Sequence, residues 1–279
     1  MRVIYPLLSS LQELANPPLP KTGVFEYRQN GPSFSDLIER GRVENTDKLK
    51  AKFEREFQEL TSAFDRIYLL ATRYVWVIYH EPYASVSPVQ DVLFPCFHKS
   101  LISLYVAHDL SRQGLYGPAR PHLRHAFESL MIAKYCSANP DSDVFDRWID
   151  GVDIYFTNSI LKKIKKPSLV EIPQFWKVLC GWTHSTVFAG QPNIALDEEA
   201  TEIQANIGVI GVLLRWTAHL LNRHMVTTSV RYYGNRHTMN PAAALAGKQL
   251  QQFFTWQHKH LGEGSKVLIA EYRATWTVV

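Results

Sequence analysis

The chain reads as an all-α protein, a bundle of six to eight helices behind a short irregular or β-containing N-terminal arm. Three observations point there. Apolar residues recur at helical spacing over long runs, as in Phe53, Phe57, Leu60, Phe64 and Ile67. Lys/Glu pairs coat the other side of the same run. Proline and glycine breaks such as His80-Glu81-Pro82, Gly117-Pro118 and Asn139-Pro140 separate the periodic segments.

Taken in order, the arm covers residues 1–45 and the helical bundle 46–279, as one domain overall. Residues 3–15 place Ile4, Leu7, Leu8, Leu11 and Leu14 on one face of a short helix that Pro17, Pro18 and Pro20 stop. Between Lys21 and Asn45, VFEY and Asn30-Gly31-Pro32 suit a small hairpin or an irregular arm. A long helix is expected from Thr46 to Tyr79. Ser87 and Pro88 then supply a cap and a first turn for a helix to about Gln113, which Pro95 kinks or truly begins. After the central helix, residues 141–166 read as a further helix. Asp141, Asp143, Asp146 and Asp150 sit at its start and Lys162, Lys163, Lys165 and Lys166 at its end, complementing the helix dipole. The same lysines offer a phosphate-binding patch as the alternative.

Pro167 and Pro173 bracket a loop before the aromatic stretch Gln174–Val187. A helix rich in Ile, Val and Leu is expected over Asp197–Met225, where Gly208 and Gly211 suggest a closely approaching neighbour. A last helix falls at about 241–260, and the tail beyond Gly264 suits a strand or a short helix equally.

Composition bounds the function. A net charge of +4 leaves a nucleic-acid partner open without demanding one. Cys96, Cys136 and Cys180 are an odd number without metal-like spacing, so buried free thiols in a reducing compartment are expected. No signal peptide is read at the start. No run reaches the roughly 18 apolar residues that span a bilayer. The expectation is a cytoplasmic protein without membrane, cofactor or metal. HExxH, zinc-like Cys/His spacing, a Walker loop and GxGxxG are all lacking, and Glu198 and Glu202 share a helical face without the Glu-x-x-His partner of a di-iron site.

The stretch 116–136, YGPARPHLRHAFESLMIAKYC, organises the rest. Arg120, Arg124 and Glu128 recur every four residues and share a helical face. Leu123, Phe127, Leu130 and Met131 form the apolar stripe beside them, running on to Lys134 and Tyr135. The row admits two readings: an intrahelical Arg124–Glu128 pair that orders the core, or arginines that grip an anion while Glu128 orients one of them. His184, among Thr183, Ser185 and Thr186 and beside Trp182, is either a helix-end cap or a general acid or base.

The order of elements resembles an uncharacterised bacterial family of helical proteins. In that family an Arg-x-x-x-Glu helix after a glycine turn is followed some fifty residues later by a Ser/Thr-His element. The matching residues here are Gly117, Arg124, Phe127 and Glu128, then Trp182, Thr183, His184 and Ser185, within roughly residues 95–225. The resemblance implies that Arg124, Glu128 and His184 are signature residues, without naming a reaction. The same outline is similar to HEPN domains, helical bundles that often dimerise and are often metal-independent ribonucleases. That likeness implies an Arg–His pair in which His deprotonates a 2′-hydroxyl and Arg steadies the phosphate. Arg231 with His237 has the spacing, although Tyr232 follows the Arg and Gly234 interrupts; Arg73 with His80 and Arg120 with His125 fit loosely.

The candidate catalytic set is therefore His184, Arg124 and Glu128, with Arg120, Ser185, Arg231 and His237 as ligand-binding residues. Tyr232 and Tyr233 beside Arg231 and Arg236 suit base stacking or helix packing alike. Whether the protein is an enzyme stays open. A homodimer is expected, with a nucleic acid or a small anion as its partner.

Overall fold

A computed structural model describes residues 34–80, 88–164, 171–183, 200–233, 248–255 and 263–275. Regular structure among them is helical throughout, as the periodicity predicts: α1 (Phe34–His80), α2 (Pro88–Arg112), α3 (Tyr116–Ala138), α4 (Asp143–Ile149), α5 (Phe156–Ser159), a 3-10 turn (Leu161–Lys163), α6 (Glu171–Thr183), α7 (Ala200–Tyr233), α8 (248–255) and α9 (Glu263–Ala274). The chain divides into two compact units, Met1–Gly41 and Arg42–Val279. Of the first, residues 34–41 are described, as opening turns of α1. The expected 3–15 helix and the Asn30-Gly31-Pro32 turn lie outside the described residues.

The first helix starts at Phe34 rather than at the expected Thr46. Leu37, Ile38, Glu39 and Arg40 are good helix formers, and a lone Gly41 costs too little to stop propagation. The helix is also two segments merged across a kink, because Phe53 holds φ −123° and ψ 20°. Helix α2 runs through Pro95, whose side chain is exposed.

Between α2 and α3 the turn is built by Gly114, which holds φ +77°. Its N–H donates to Ser111 O at 3.1 Å and that of Leu115 to Leu110 O at 2.9 Å, the paired bonds of a Schellman motif. Only a residue without Cβ takes that conformation cheaply. Buried Asn206 of α7 reaches this turn, donating through Nδ2 to Ser111 Oγ at 3.2 Å and to Tyr116 O at 3.0 Å.

The expected 141–166 helix is broken by the same device. Ser142 caps α4, accepting from Phe145 N, and Gly151 at φ +67° ends it, with Val152 N donating to Arg147 O at 2.8 Å. The acidic start and basic end thus belong to different elements, Asp143 and Asp146 to α4 and Lys162 and Lys163 to the 3-10 turn. Past the 3-10 turn, the N-terminus of α6 is covered by a carboxylate from far along the chain. Glu271 of α9 accepts from Glu171 N at 3.0 and 3.1 Å and from Ile172 N at 3.0 Å, satisfying orphan donors of the first turn. Within the tail, Glu263–Ala274 is helix, of the two forms the sequence allows.

Around α3 lies the core. Leu123, Phe127, Leu130 and Met131 are fully buried, as their spacing predicts. Phe127 is the hub of an aromatic cluster, 5.5 to 5.8 Å from the ring centres of Phe156, Phe175, Trp176 and Trp216. Trp216 in turn stacks on Tyr272 of α9 at 4.2 Å and an interplanar angle of 4°. Where α1 meets α2, buried His108 packs against Phe57 and Phe64, and its Nε2 lies 3.3 Å from Phe57 O.

Of the two glycines expected to meet a close neighbour, Gly208 does not. A Cβ built on Gly208 meets no atom within 4 Å, so no neighbouring helix crowds that position. Among the described residues no helix is long and apolar enough to cross a membrane.

Candidate functional site: the charged row of helix α3

Four-residue spacing sets Arg120, Arg124 and Glu128 along one side of α3, and α6 and the start of α7 pack over that side. Each arginine is met differently. Arg120 is 2% exposed. Its Nη2 pairs with Glu202 Oε2 in the first turn of α7. Its guanidinium carbon lies 4.5 Å from the ring centre of Trp182 and 5.1 Å from that of Tyr116. One carboxylate and two aromatic rings thus meet it, and its buried Nε has no hydrogen-bond partner.

Arg124, one turn on, is more open. Its side chain and that of Glu128 are 25% and 24% exposed, and they pair within the helix, Nε to Oε1, at 3.1 Å. Arg124 also donates through Nη1 to Thr183 Oγ1 at 3.1 Å, and its guanidinium lies 4.8 Å from the ring centre of Trp176. Thr183 turns its own hydroxyl proton back toward Leu179 O, at 3.1 Å, so its oxygen is held facing the arginine. Cys180 shares this corner. Burial pushes its thiol up, Arg124 pulls it down and Glu128 raises it again, which leaves it protonated rather than a thiolate nucleophile. Cys96 and Cys136 are buried and unbridged, and burial pushes Cys136 up to about 12.

The structure thus brings together Arg120, Arg124 and Glu128 from one helix, Trp176, Cys180, Trp182 and Thr183 from a second and Glu202 from a third. His184, Ser185 and His237 lie outside the described residues. Arg231 falls in the last turn of α7, and its side chain is not described. Of the three loose Arg–His spacings, Arg120 and His125 diverge: the first is buried and the second exposed. Five residues along a helix is about 140° around its axis, so the two cannot share a substrate.

Sequence reasoning did not foresee Glu202 as the partner of Arg120, since 82 residues separate them and no local spacing links them. The available signal was an acid in the first turn of a helix, a weak one. Among the described residues no three His, Cys, Asp or Glu side chains gather in a way that could hold a metal ion. Comparison with known proteins found no matching family model, no matching curated protein and no matching solved structure.

Proposed function

We propose that this chain is a non-catalytic helical protein in which the Arg120–Arg124–Glu128 row orders three helices against one another. The state of Arg120 carries this reading. A guanidinium enclosed by two rings and already neutralised by Glu202 has no free face for a substrate, and its bonds tie α3 to the ends of α6 and α7. Arg124 continues the seam outward to Thr183. The protein acts as a cytoplasmic homodimer on this reading. Free thiols support the compartment. Exposed Tyr68 and Leu69 on α1, with Ile102 and Tyr105 on α2, support self-association, since the ring contact of Phe64 with Tyr105 joins the two helices there.

A second reading, a HEPN-like metal-independent ribonuclease or RNA-binding protein of a stress or defence system, is favoured by one observation. The half-buried Arg124 bonds Thr183, and a single peptide bond joins Thr183 to His184. An imidazole in that corner would find a guanidinium positioned for a phosphate. Incubating the full chain with RNA, beside His184→Ala and His237→Ala variants, separates the two. The ordering role expects intact RNA at every salt concentration. Cleavage that disappears in His184→Ala overturns it in favour of the nuclease.

A further inference from the structure

A groove between α1 and the C-terminal end of α2 carries charges that the α3 row does not use. Its volume is about 540 Å³, within the range of roughly 300–1,000 Å³ usual for small-ligand sites. Lys50, Glu54, Phe57, Ser62 and Asp65 line it from α1, with Gln58 and Thr61 between them. Steps of three and four residues put these positions on one side of the helix. Arg112 of α2 completes the wall. The two helices run antiparallel here, since Tyr105 meets Phe64 while His108, further along α2, reaches back to Phe57. Arg112 lies one turn beyond His108 and so falls toward the Lys50–Glu54 end.

The two ends of the groove differ in charge. At one, Lys50 and Arg112 stand with Glu54, which already accepts from Gln58 Nε2 at 3.1 Å. Two cations against one carboxylate leave that end net positive by one charge. At the other, Asp65 stands beside Ser62, about 16 Å along the helix axis from Glu54. Lys50, Arg112 and Asp65 are exposed, and among the described residues none of the three has a hydrogen-bond or ion-pair partner. Buried Phe57 floors the middle. Thr61 donates its hydroxyl proton to Phe57 O at 2.9 Å, which leaves its oxygen with lone pairs to accept with.

A ligand that matches this pattern is anionic at one end, cationic at the other and polar between. A surplus of one positive charge suits a carboxylate better than a dianionic phosphate, and the unpaired Asp65 suits an ammonium. An extended tetrapeptide is about 14 Å long and ends in those two groups. Its amides find donors and acceptors in Gln58, Thr61 and Ser62. We propose that the groove binds a short peptide with free ends, about four residues long, its carboxylate held by Lys50 and Arg112 and its amino terminus by Asp65. The site stands apart from the α3 row and does not depend on the function proposed for it.

Equilibrium dialysis of the full chain against a mixed pool of tetrapeptides tests this, with the retained peptides read by mass spectrometry. The pool is used with both ends free, N-acetylated, C-amidated and blocked at both ends. Free-ended peptides should be retained most, and each blocked end should weaken binding about tenfold, the loss of one charge-assisted contact. Arg112→Gln should weaken the free-ended pool about tenfold as well, yet leave the C-amidated pool unchanged, because its contact is already missing. Asp65→Asn should behave likewise toward the amino end, leaving the N-acetylated pool unchanged. Both side chains are exposed, so the thermal midpoints of the variants should match that of the parent chain. Retention of no pool, retention sensitive to one end or to neither, or losses in the two variants that ignore which end is blocked, overturns the proposal.

Discussion

Arg120 shows how much a single side chain is asked to do. Its long stem and flat head fill the space between Tyr116 and Trp182, and its charge is met by a carboxylate that is 32% exposed. Replacing it by Leu keeps an apolar body but removes the charge partner of Glu202 and the flat cation between the rings. Breaking a fully buried pair costs about 3–5 kcal/mol. Glu202 recovers part of its hydration, so Arg120→Leu should lose about 2–3 kcal/mol in chemical denaturation. An unchanged midpoint would mean that the seam does not order the bundle. Arg124→Leu should cost less, about 1 kcal/mol, because its pair is open to water. The Arg124–Glu128 pair was legible in the sequence because helical geometry alone makes residues four apart neighbours. The Arg120–Glu202 pair was not, since its spacing is set by where α7 happens to dock.

Glycines decide much at the scale of elements, and their meaning depends on conformation rather than identity. Gly114 and Gly151 hold positive φ and end α2 and α4, so a side chain at either is strained. Gly151 is what divides the expected 141–166 helix; charge complementarity along that segment suggested continuity, but a charged end does not show where a helix stops. Gly208 is the opposite case. It sits inside α7 with open space around its Cβ position, so it carries the entropic cost of glycine with no packing return. Gly208→Ala should therefore stabilise the fold by about 0.5–1 kcal/mol, read as a raised thermal midpoint. A loss of stability there would mean that the added methyl meets a neighbour and the position is not open. Helix α6 makes a related point, since its N-terminus is satisfied by Glu271, a hundred residues downstream, rather than by a local cap.

For the molecule as a whole, acid should be the weakness. His108 is 1% exposed. Burial outweighs its hydrogen bond to Phe57 O and holds it down to about 4, and burial likewise lowers His219 and His224 to about 4. An unfolded chain takes up each of these protons near pH 6.5, above where the fold does. The neutral rings therefore contribute full stability above about pH 6.5, and that contribution is lost as the pH falls through about 4. His108 alone should account for about 2–3 kcal/mol of the decline. Urea midpoints in phosphate-free buffer should drop between pH 7 and pH 4, and His108→Leu should flatten the slope. A flat profile in the parent chain would show that these rings are solvated.

What the amino-acid sequence determined by itself is the helical class, the apolar stripe of α3 and the one-turn pairing of Arg124 with Glu128. These follow from a periodicity of 3.6 residues per turn, which acts over a few neighbours and needs no knowledge of the rest of the chain. Only the tertiary structure decided that Arg120 is closed off between two rings and Glu202, that Lys134 inside the apolar stripe faces Tyr272, and that Trp216 of α7 stacks on Tyr272 of α9. Those outcomes rest on how helices dock. Docking is set by the summed burial of whole faces, so no local spacing encodes which distant charge will arrive opposite which.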